Sequence, residues 1–303
     1  MNRTVDSDTV FGLVEMPDAI EAVRSAFVDF ELGEFEMPTR LSLGESRFLV
    51  MPTYHRPTGS AVVKSLSLNF DRTPPISGTV TWVELATVNN LVIEAEAVTA
   101  LRTGAAVGVA TDLLAAPDAS RLAMFGAGAQ AYYQVQAVHA VRPLTQVKVV
   151  DLDPVRADNL VASLKTLLPD AAVRVAADGA DALVDADIVN CATTARSPLF
   201  SIDALAPSAH VNAIGAFKPG MRELPNELLA AATVFVDDQA SVLAEAGDVI
   251  EAVGSGFVNA DDLVPIGRAL RQSPRRAART VFKSVGIAAQ DWAVAHLVAR
   301  RSG

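Results

Sequence analysis

The ten residues 122–131, LAMFGAGAQA, constrain the fold of this chain more than any other stretch. Arg121-Leu-Ala-Met-Phe125 is a compact apolar run that reads as a buried parallel strand. From Gln130 to Ala140 (QAYYQVQAVHA) apolar residues recur at helical spacing, so the glycines fall at a strand-to-helix junction. There Gly126 permits a tight turn and Gly128 lets the backbone approach a pyrophosphate. Ala131 is small enough for the helix to pack on the strand. The helix N-terminus adds N–H groups and the positive end of its dipole. A second apolar strand, Val147-Lys-Val-Val150, ends in Asp151, 25 residues after Gly126. A carboxylate at that point accepts hydrogen bonds from ribose hydroxyls and repels a 2′-phosphate, which favours NAD over NADP. A glycine turn alone would equally serve a doubly wound sheet that binds nothing. Strand, helix and Asp151 in register favour the dinucleotide.

The alternation continues along the chain. Residues 172–175, 186–190, 210–214 and 233–236 read as further parallel strands with helical segments between them, such as 154–168, where Pro154 suits a first helical turn. Several of these strands end in small or polar residues (Cys191-Ala-Thr-Thr194, Gly215-Ala216, Asp237-Asp238), and ligands sit at the carboxyl ends of parallel strands. The expectation is an α/β chain with a Rossmann-type doubly wound parallel sheet over 118–282. It starts after the Ala-Ala-Pro-Asp stretch at 115–118.

Composition removes several classes of function. Half of the 303 residues are hydrophobic and 20% are charged, as in a folded protein with room for two cores. The net charge of −10 argues against nucleic acid as the main partner. No apolar run is expected to approach the roughly 18–20 residues of a membrane span. The N-terminus reads as polar and without a secretory signal. The lone cysteine, Cys191, excludes a disulfide framework and fits a reducing cytoplasm. The four histidines show no metal-ligand spacing. Asp237-Asp238 with Glu245 and Asp248 suggests loop and helix-capping roles before a metal, and 273–279 (SPRRAAR) reads as a solvated helix face.

The first 115 residues differ in character. An amphipathic helix over 17–32 is followed by antiparallel strands from Pro38 to Ser67, broken by turns such as Arg56-Pro-Thr-Gly59. Three cations stand on apolar ground: Arg40 in MPTRLSL, Lys64 in AVVKSLS and Arg102 in TALRTGAA. Each alone fits a solvated face. Lys64, flanked by Val62, Val63 and Leu66, either snorkels outward or serves a pocket.

Over nearly its whole length the chain resembles the ornithine cyclodeaminase/mu-crystallin family, in LVMPTY with VVKSLSLNF, ALRTGAAVGVAT, FGAGAQA, NAIGAFKPGMRELP and FKSVGIAAQDWAVA. The resemblance implies a discontinuous α+β substrate and dimerisation domain, 1–117 with 283–303, a homodimer through it, and a nicotinamide cofactor facing the cleft between domains. It also implies that Arg40, Lys64 and Arg102 hold a substrate carboxylate, with Lys64 and Arg102 at the chemistry. Guanidinium groups suit that role because they grip a carboxylate in bidentate fashion. Arg102 and Thr103 match a segment that touches cofactor phosphate, and Thr79 a polar contact near the nicotinamide. Ala129, Gln130 and Asp151 match the adenosine side, while Thr193 and Ser284 match positions lining the cofactor.

Two departures direct the functional expectation. The cyclodeaminases and the archaeal alanine dehydrogenases that resemble them carry an aspartate where this chain has Phe217. The cyclodeaminases also carry a glutamate that falls at Met51. Without those acids a second substrate amine would enter an apolar pocket unpaired, which is costly. A carboxylate clamp, a hydride carrier and an apolar wall instead suit a cyclic imine carboxylate. The expected reaction is reduction of Δ1-pyrroline-2-carboxylate or Δ1-piperideine-2-carboxylate to proline or pipecolate, with NAD, or NADP, as cofactor. Three alternatives stay open. One is an NAD-dependent dehydrogenase of alanine or an N-substituted amino acid. Another is a cyclodeaminase in which Glu45, Asp71 or Glu84 supplies the acid. The third is a ligand-binding protein without turnover.

Overall fold

The strand Arg121–Phe125 lies inside an eight-stranded sheet in which every pairing is parallel. In spatial order the strands are Ala172–Val175, Gln146–Val150, Arg121–Phe125, Ile188–Cys191, His210–Ala213, Thr280–Lys283, Thr233–Val236 and Val264–Pro265. Strand order reverses beside Arg121–Phe125, so the glycine loop leaves the sheet at its switch point, where open α/β sheets take their ligands. The middle strands are buried on both faces, as parallel sheets require, and their polar members Asn190, His210 and Asn212 bond one another. This computed structural model describes residues 2–302 other than Ser46, Phe70, Thr73, Pro75, Val88, Asn89 and 273–277. Most of the basic stretch at 273–279 is therefore outside the described residues, as is Phe70 at the end of VVKSLSLNF.

The chain divides into two compact units, Met1–Ala106 with Ile287–Gly303, and Val107–Gly286. The boundaries expected at 117/118 and 282/283 are corrected to 106/107 and 286/287. The first falls inside the continuous helix Ala95–Leu114, whose Val107 packs into the second unit's core with Leu122 and Met124. The second moves because Thr280–Lys283 is a strand of the parallel sheet, paired on both sides. The last helix begins only at Ala288.

In the first unit a seven-stranded sheet runs Asn2–Val5, Asn90–Glu94, Ile76–Glu84, Ser60–Leu68, Phe48–His55 and Phe35–Glu36, with Leu41–Leu43 also on Phe48–His55. All its pairings are antiparallel except that of Asn2–Val5 with Asn90–Glu94. Side chains alternate between faces. Leu49, Met51, Thr53 and His55 point inward with Val62, Lys64, Val80 and Trp82. The helix Ala288–Arg301 covers that inner face. Its Trp292 ring lies 4.1 Å from the His55 ring, and its Nε1 donates to Ser60 Oγ at 2.9 Å. The other face stays partly open and apolar, with Phe48, Val50, Tyr54 and Val63.

The helix Ala95–Leu114 is, among the described residues, one helix long and apolar enough by composition to cross a membrane. That corrects the expectation of no such run. Its residues are apolar on all sides because 83% of its most apolar window is buried within the protein, which is the pattern of a core helix.

Candidate active site

Lys64 is fully buried on the inner face of its strand, opposite Met51 on one neighbour and Val80 on the other. Its Nζ meets Asp291 Oδ1 at 2.9 Å. Arg102, about two turns into the core helix Ala95–Leu114, brings its Nε to 3.2 Å from the same oxygen and donates from Nη1 to Gln290 Oε1 at 2.9 Å. Two cations thus share one carboxylate oxygen, leaving one positive charge that Asp291 does not balance. Arg40 lies close enough for its charge to act on Lys64. Burial foremost lowers the Lys64 pKa from its ordinary 10.5 to about 8; Asp291 opposes the fall, while Arg102 and Arg40 add to it. Asp291 Oδ2, Gln290 Nε2 and Thr103 Oγ1 are buried without a hydrogen-bond partner, so the unit's interior holds polar capacity that its own residues do not use.

These placements sort the expected residues. Arg40, Lys64 and Arg102 come together, with Met51 beside Lys64. Thr79 does not join them. It pairs with Ser65 across the sheet, hydroxyl to hydroxyl at 3.3 Å, on the face opposite to Lys64. Glu45 and Asp71 are exposed and Glu84 accepts from Thr87, so none of the three acids that would have supported a cyclodeaminase stands at Lys64. The acid that does stand there, Asp291, escaped the sequence reading, as did Gln290. The available signal was a polar pair inside the otherwise apolar run VGIAAQDWAVA.

The second unit carries the glycine loop. Gly126 has φ of +96°, and a Cβ there would lie 2.6 Å from Ala192 O, so glycine is required twice over. At Gly128 a Cβ would meet nothing within 4 Å. No protein group fills that space, which leaves it for a ligand's approach. Ala129 is exposed beside it, and Gln130 Oε1, at the helix start, is buried without a partner. Asp151 Oδ2 accepts from Ala127 N at 2.6 Å and Oδ1 accepts from Asp153 N at 2.8 Å. Each oxygen retains a lone pair for a ribose hydroxyl. The open approach at Gly128 and this acceptor set fit a dinucleotide. Gln130, Asp151 and the loop backbone would hold its adenosine and phosphates. A groove of about 560 Å³ beside Ala127, lined by Tyr132, Arg156, Asn159 and Ser163, contains none of the expected site residues.

Thr193 and Ser284 are tied to buried carboxylates. Glu223 Oε1 accepts from Thr193 N at 2.6 Å and from Thr193 Oγ1 at 2.9 Å, while Oε2 accepts from Gly215 N at 2.8 Å and Ala216 N at 3.2 Å. One side chain, unforeseen from sequence, thereby fixes the ends of two neighbouring strands. Burial pushes its pKa up, and Lys283 pulls it back. Lys283 itself lies 2.8 Å from Asp248 Oδ2, both fully buried. Ser284 Oγ donates to Asp237 Oδ2 at 2.6 Å, and that oxygen also accepts from Val285 N and Gly286 N. Asp238 caps the helix Gln239–Glu245 through Ser241 N. Among the described residues no acid or histidine cluster suits a metal ion. Phe217 is half-buried against the second unit's core, with Lys218 Nζ 5.8 Å from its ring centre.

Comparison with known proteins accords with this geometry. The profile of the ornithine cyclodeaminase/mu-crystallin family matches residues 3–302. The chain belongs to that family. Within it, the chain is 31% identical over 309 residues to an alanine dehydrogenase of Archaeoglobus fulgidus, covering 96% of this chain and 92% of that one. It is 31% identical over 300 residues to a Δ1-pyrroline-2-carboxylate reductase of Bacillus cereus, covering 93% and 91%. Among solved structures, the Δ1-pyrroline-2-carboxylate reductase of Thermococcus litoralis, in complex with NADH and L-proline, superposes with a TM-score of 0.92. That pair is 27% identical, over 99% of this chain and 97% of the other. The family assignment thus rests on the whole chain, and not on the glycine loop alone.

Proposed function

We propose that this protein reduces a cyclic imine carboxylate, Δ1-pyrroline-2-carboxylate or Δ1-piperideine-2-carboxylate, to the corresponding cyclic amino acid, with NADH as the preferred reductant. The observation that carries the reading is the pair Lys64 and Arg102 sharing one oxygen of Asp291. The positive charge left over is matched by the substrate's carboxylate, and Arg40 strengthens the field that attracts it. The guanidinium of Arg102 offers a planar donor edge suited to bidentate contact. A reduced nicotinamide, when bound, would supply the hydride for C2 of the C=N bond. The imine nitrogen takes up a proton at the same time, so one C–H and one N–H bond form and the C=N π bond is lost. Lys64, with a pKa of about 8, is largely an ammonium at neutral pH and can release a proton there. Orientation by the clamp is the larger contribution, because a protonated imine accepts hydride readily. Met51 beside Lys64 keeps that side apolar, as a ring without a second amine requires. Phe217, where the cyclodeaminases carry an aspartate, offers no acid to a second amine.

The open outer face of the first unit's sheet, with Phe48 and Val63 each 41% exposed, supports a homodimer through that unit. A single cysteine, buried at the end of a strand, fits a cytoplasmic protein.

The test is NADH and NADPH oxidation with both cyclic imines and with pyruvate plus ammonia, beside an assay of ornithine with NAD. Turnover of either ring with no product from ornithine supports the reading. A second reading, an amino-acid dehydrogenase, is favoured by the likeness to the Archaeoglobus fulgidus enzyme over nearly the whole chain. It would show as turnover of pyruvate plus ammonia in preference to the rings.

A further inference from the structure

We propose that Asp291 is a positioning residue, which holds Lys64 and Arg102 at one spacing through a single oxygen and keeps the Lys64 ammonium charged at neutral pH. This rests on the reading of Lys64 and Arg102 as the carboxylate clamp.

The charged groups facing Lys64 come from three places. Asp291 lies in the first turn of the helix Ala288–Arg301, Arg102 on the core helix, and Arg40 ahead of the strand Leu41–Leu43. Its cross-strand neighbours, Met51 and Val80, are neutral. Burial, Arg102 and Arg40 all favour the uncharged amine, and Asp291 alone opposes them. Without its charge the two heads, which converge on Oδ1, would repel one another in a medium that screens poorly. Lys64 would then discharge, and the substrate carboxylate would lose an ion-pair partner and a proton source together. Asp291 acts through Lys64 and Arg102 and not by touching substrate or cofactor. Its second oxygen, buried and unpartnered, is not needed for the role.

Five lysines make the test direct. Enzyme labelled with ¹³C at lysine Cε is titrated by proton–carbon correlation, with Lys64 assigned by its loss in Lys64→Met. In Asp291→Asn the Lys64 midpoint falls by about one unit or more, a roughly tenfold loss of the charged form above it. The alkaline limb of kcat/KM moves down by the same amount, so the loss of activity is larger above the shifted midpoint than below it. Asp291→Glu keeps the charge and returns the midpoint toward the wild-type value, which also serves if the asparagine variant folds poorly. An unchanged midpoint in Asp291→Asn overturns the proposal, as does activity lost equally at every pH. The titration needs no substrate, so a protein inactive on every imine still answers the question about Asp291. Such inactivity would count against the reductase reading only.

Discussion

Asp151 Oδ2 lies 2.6 Å from the backbone N of Ala127, so the acid expected to meet ribose also ties the glycine loop to the end of the neighbouring strand. On the proposed reading one carboxylate has two tasks: its charge would repel a 2′-phosphate, and its Oδ2 holds the loop in the shape that offers N–H groups to phosphate. Asp151→Ser should therefore change both. NADH is expected to be preferred over NADPH by about tenfold or more in the wild type, about 1.4 kcal/mol. In the variant this ratio collapses toward unity, with NADH itself bound less tightly. Steady-state KM values for both nucleotides check this. A wild type that prefers NADPH would refute the role given to Asp151.

Arg102 reaches Gln290 with Nη1 and Asp291 with Nε, contacts that use the fixed fork of the guanidinium. Lysine has the charge without the fork. Arg102→Lys is expected to raise KM for the imino acid by about ten- to a hundredfold, roughly 1.4–3 kcal/mol of lost charged hydrogen bonding. The effect on KM for NADH should be smaller. A larger effect on the nucleotide would move Arg102 from the substrate clamp to cofactor phosphate, the other role that the family resemblance implies.

The contrast between these two sites shows what the sequence discloses. The glycine loop was legible because its evidence is local: an apolar run, two glycines and helical spacing within twenty residues, with Asp151 at a fixed distance. Strand and helix ends shifted by one or two residues, as terminal turns do. Asp291 was illegible for the opposite reason. In the chain it is an acid in a helix's first turn, where negative charge is favourable for local reasons. Only the fold sets it against Lys64, 227 positions earlier. Thr79 stands apart from Lys64 because of register. Ser65 faces it while Lys64 faces Val80, and the one-residue offset places it on the other side of the sheet. The unit boundary at 106/107 left no mark either, since a continuous helix of small and apolar residues shows no linker.

Glu223 is the buried side chain that organises the strand ends of the second unit, and glutamine is its severest fair test. The carboxylate accepts four donors, from Thr193, Gly215 and Ala216. Glutamine offers one acceptor oxygen and an NH₂, so at least one backbone N–H is left facing a donor. Burying an unsatisfied donor costs about 1–3 kcal/mol. Gly215 gives no room for relief, since a Cβ there would stand 2.2 Å from Thr193 O. Glu223→Gln is expected to lower stability by about 2–4 kcal/mol and to weaken NADH binding, leaving Lys64 titration unchanged. Denaturant unfolding and nucleotide fluorescence check both; a variant as stable as wild type would show that the strand ends do not depend on this carboxylate.

Acid should weaken the second unit through His210. Burial holds its pKa down at about 4, with Thr280 Oγ1 2.8 Å from Nδ1 and Asn212 Oδ1 3.0 Å from Nε2. The unfolded chain takes up its proton near 6.5, the folded protein only near 4. Between those values the unfolded state binds more protons, so stability falls as pH drops from about 6.5 toward 4 and levels off below. At 1.36 kcal/mol per unit the loss approaches about 3 kcal/mol. Other histidines lowered by burial add to the slope, so the decisive comparison is with His210→Gln, which keeps polar atoms in place but cannot titrate. The variant is expected to be less stable than wild type at pH 7, because two buried hydrogen bonds are disturbed. The gap should then narrow or reverse at about pH 4.5, as the wild type bears a penalty that the variant lacks. Parallel stability curves from pH 7 to 4.5 would mean that His210 takes up its proton alike in the folded and unfolded chain, and would refute the lowered pKa.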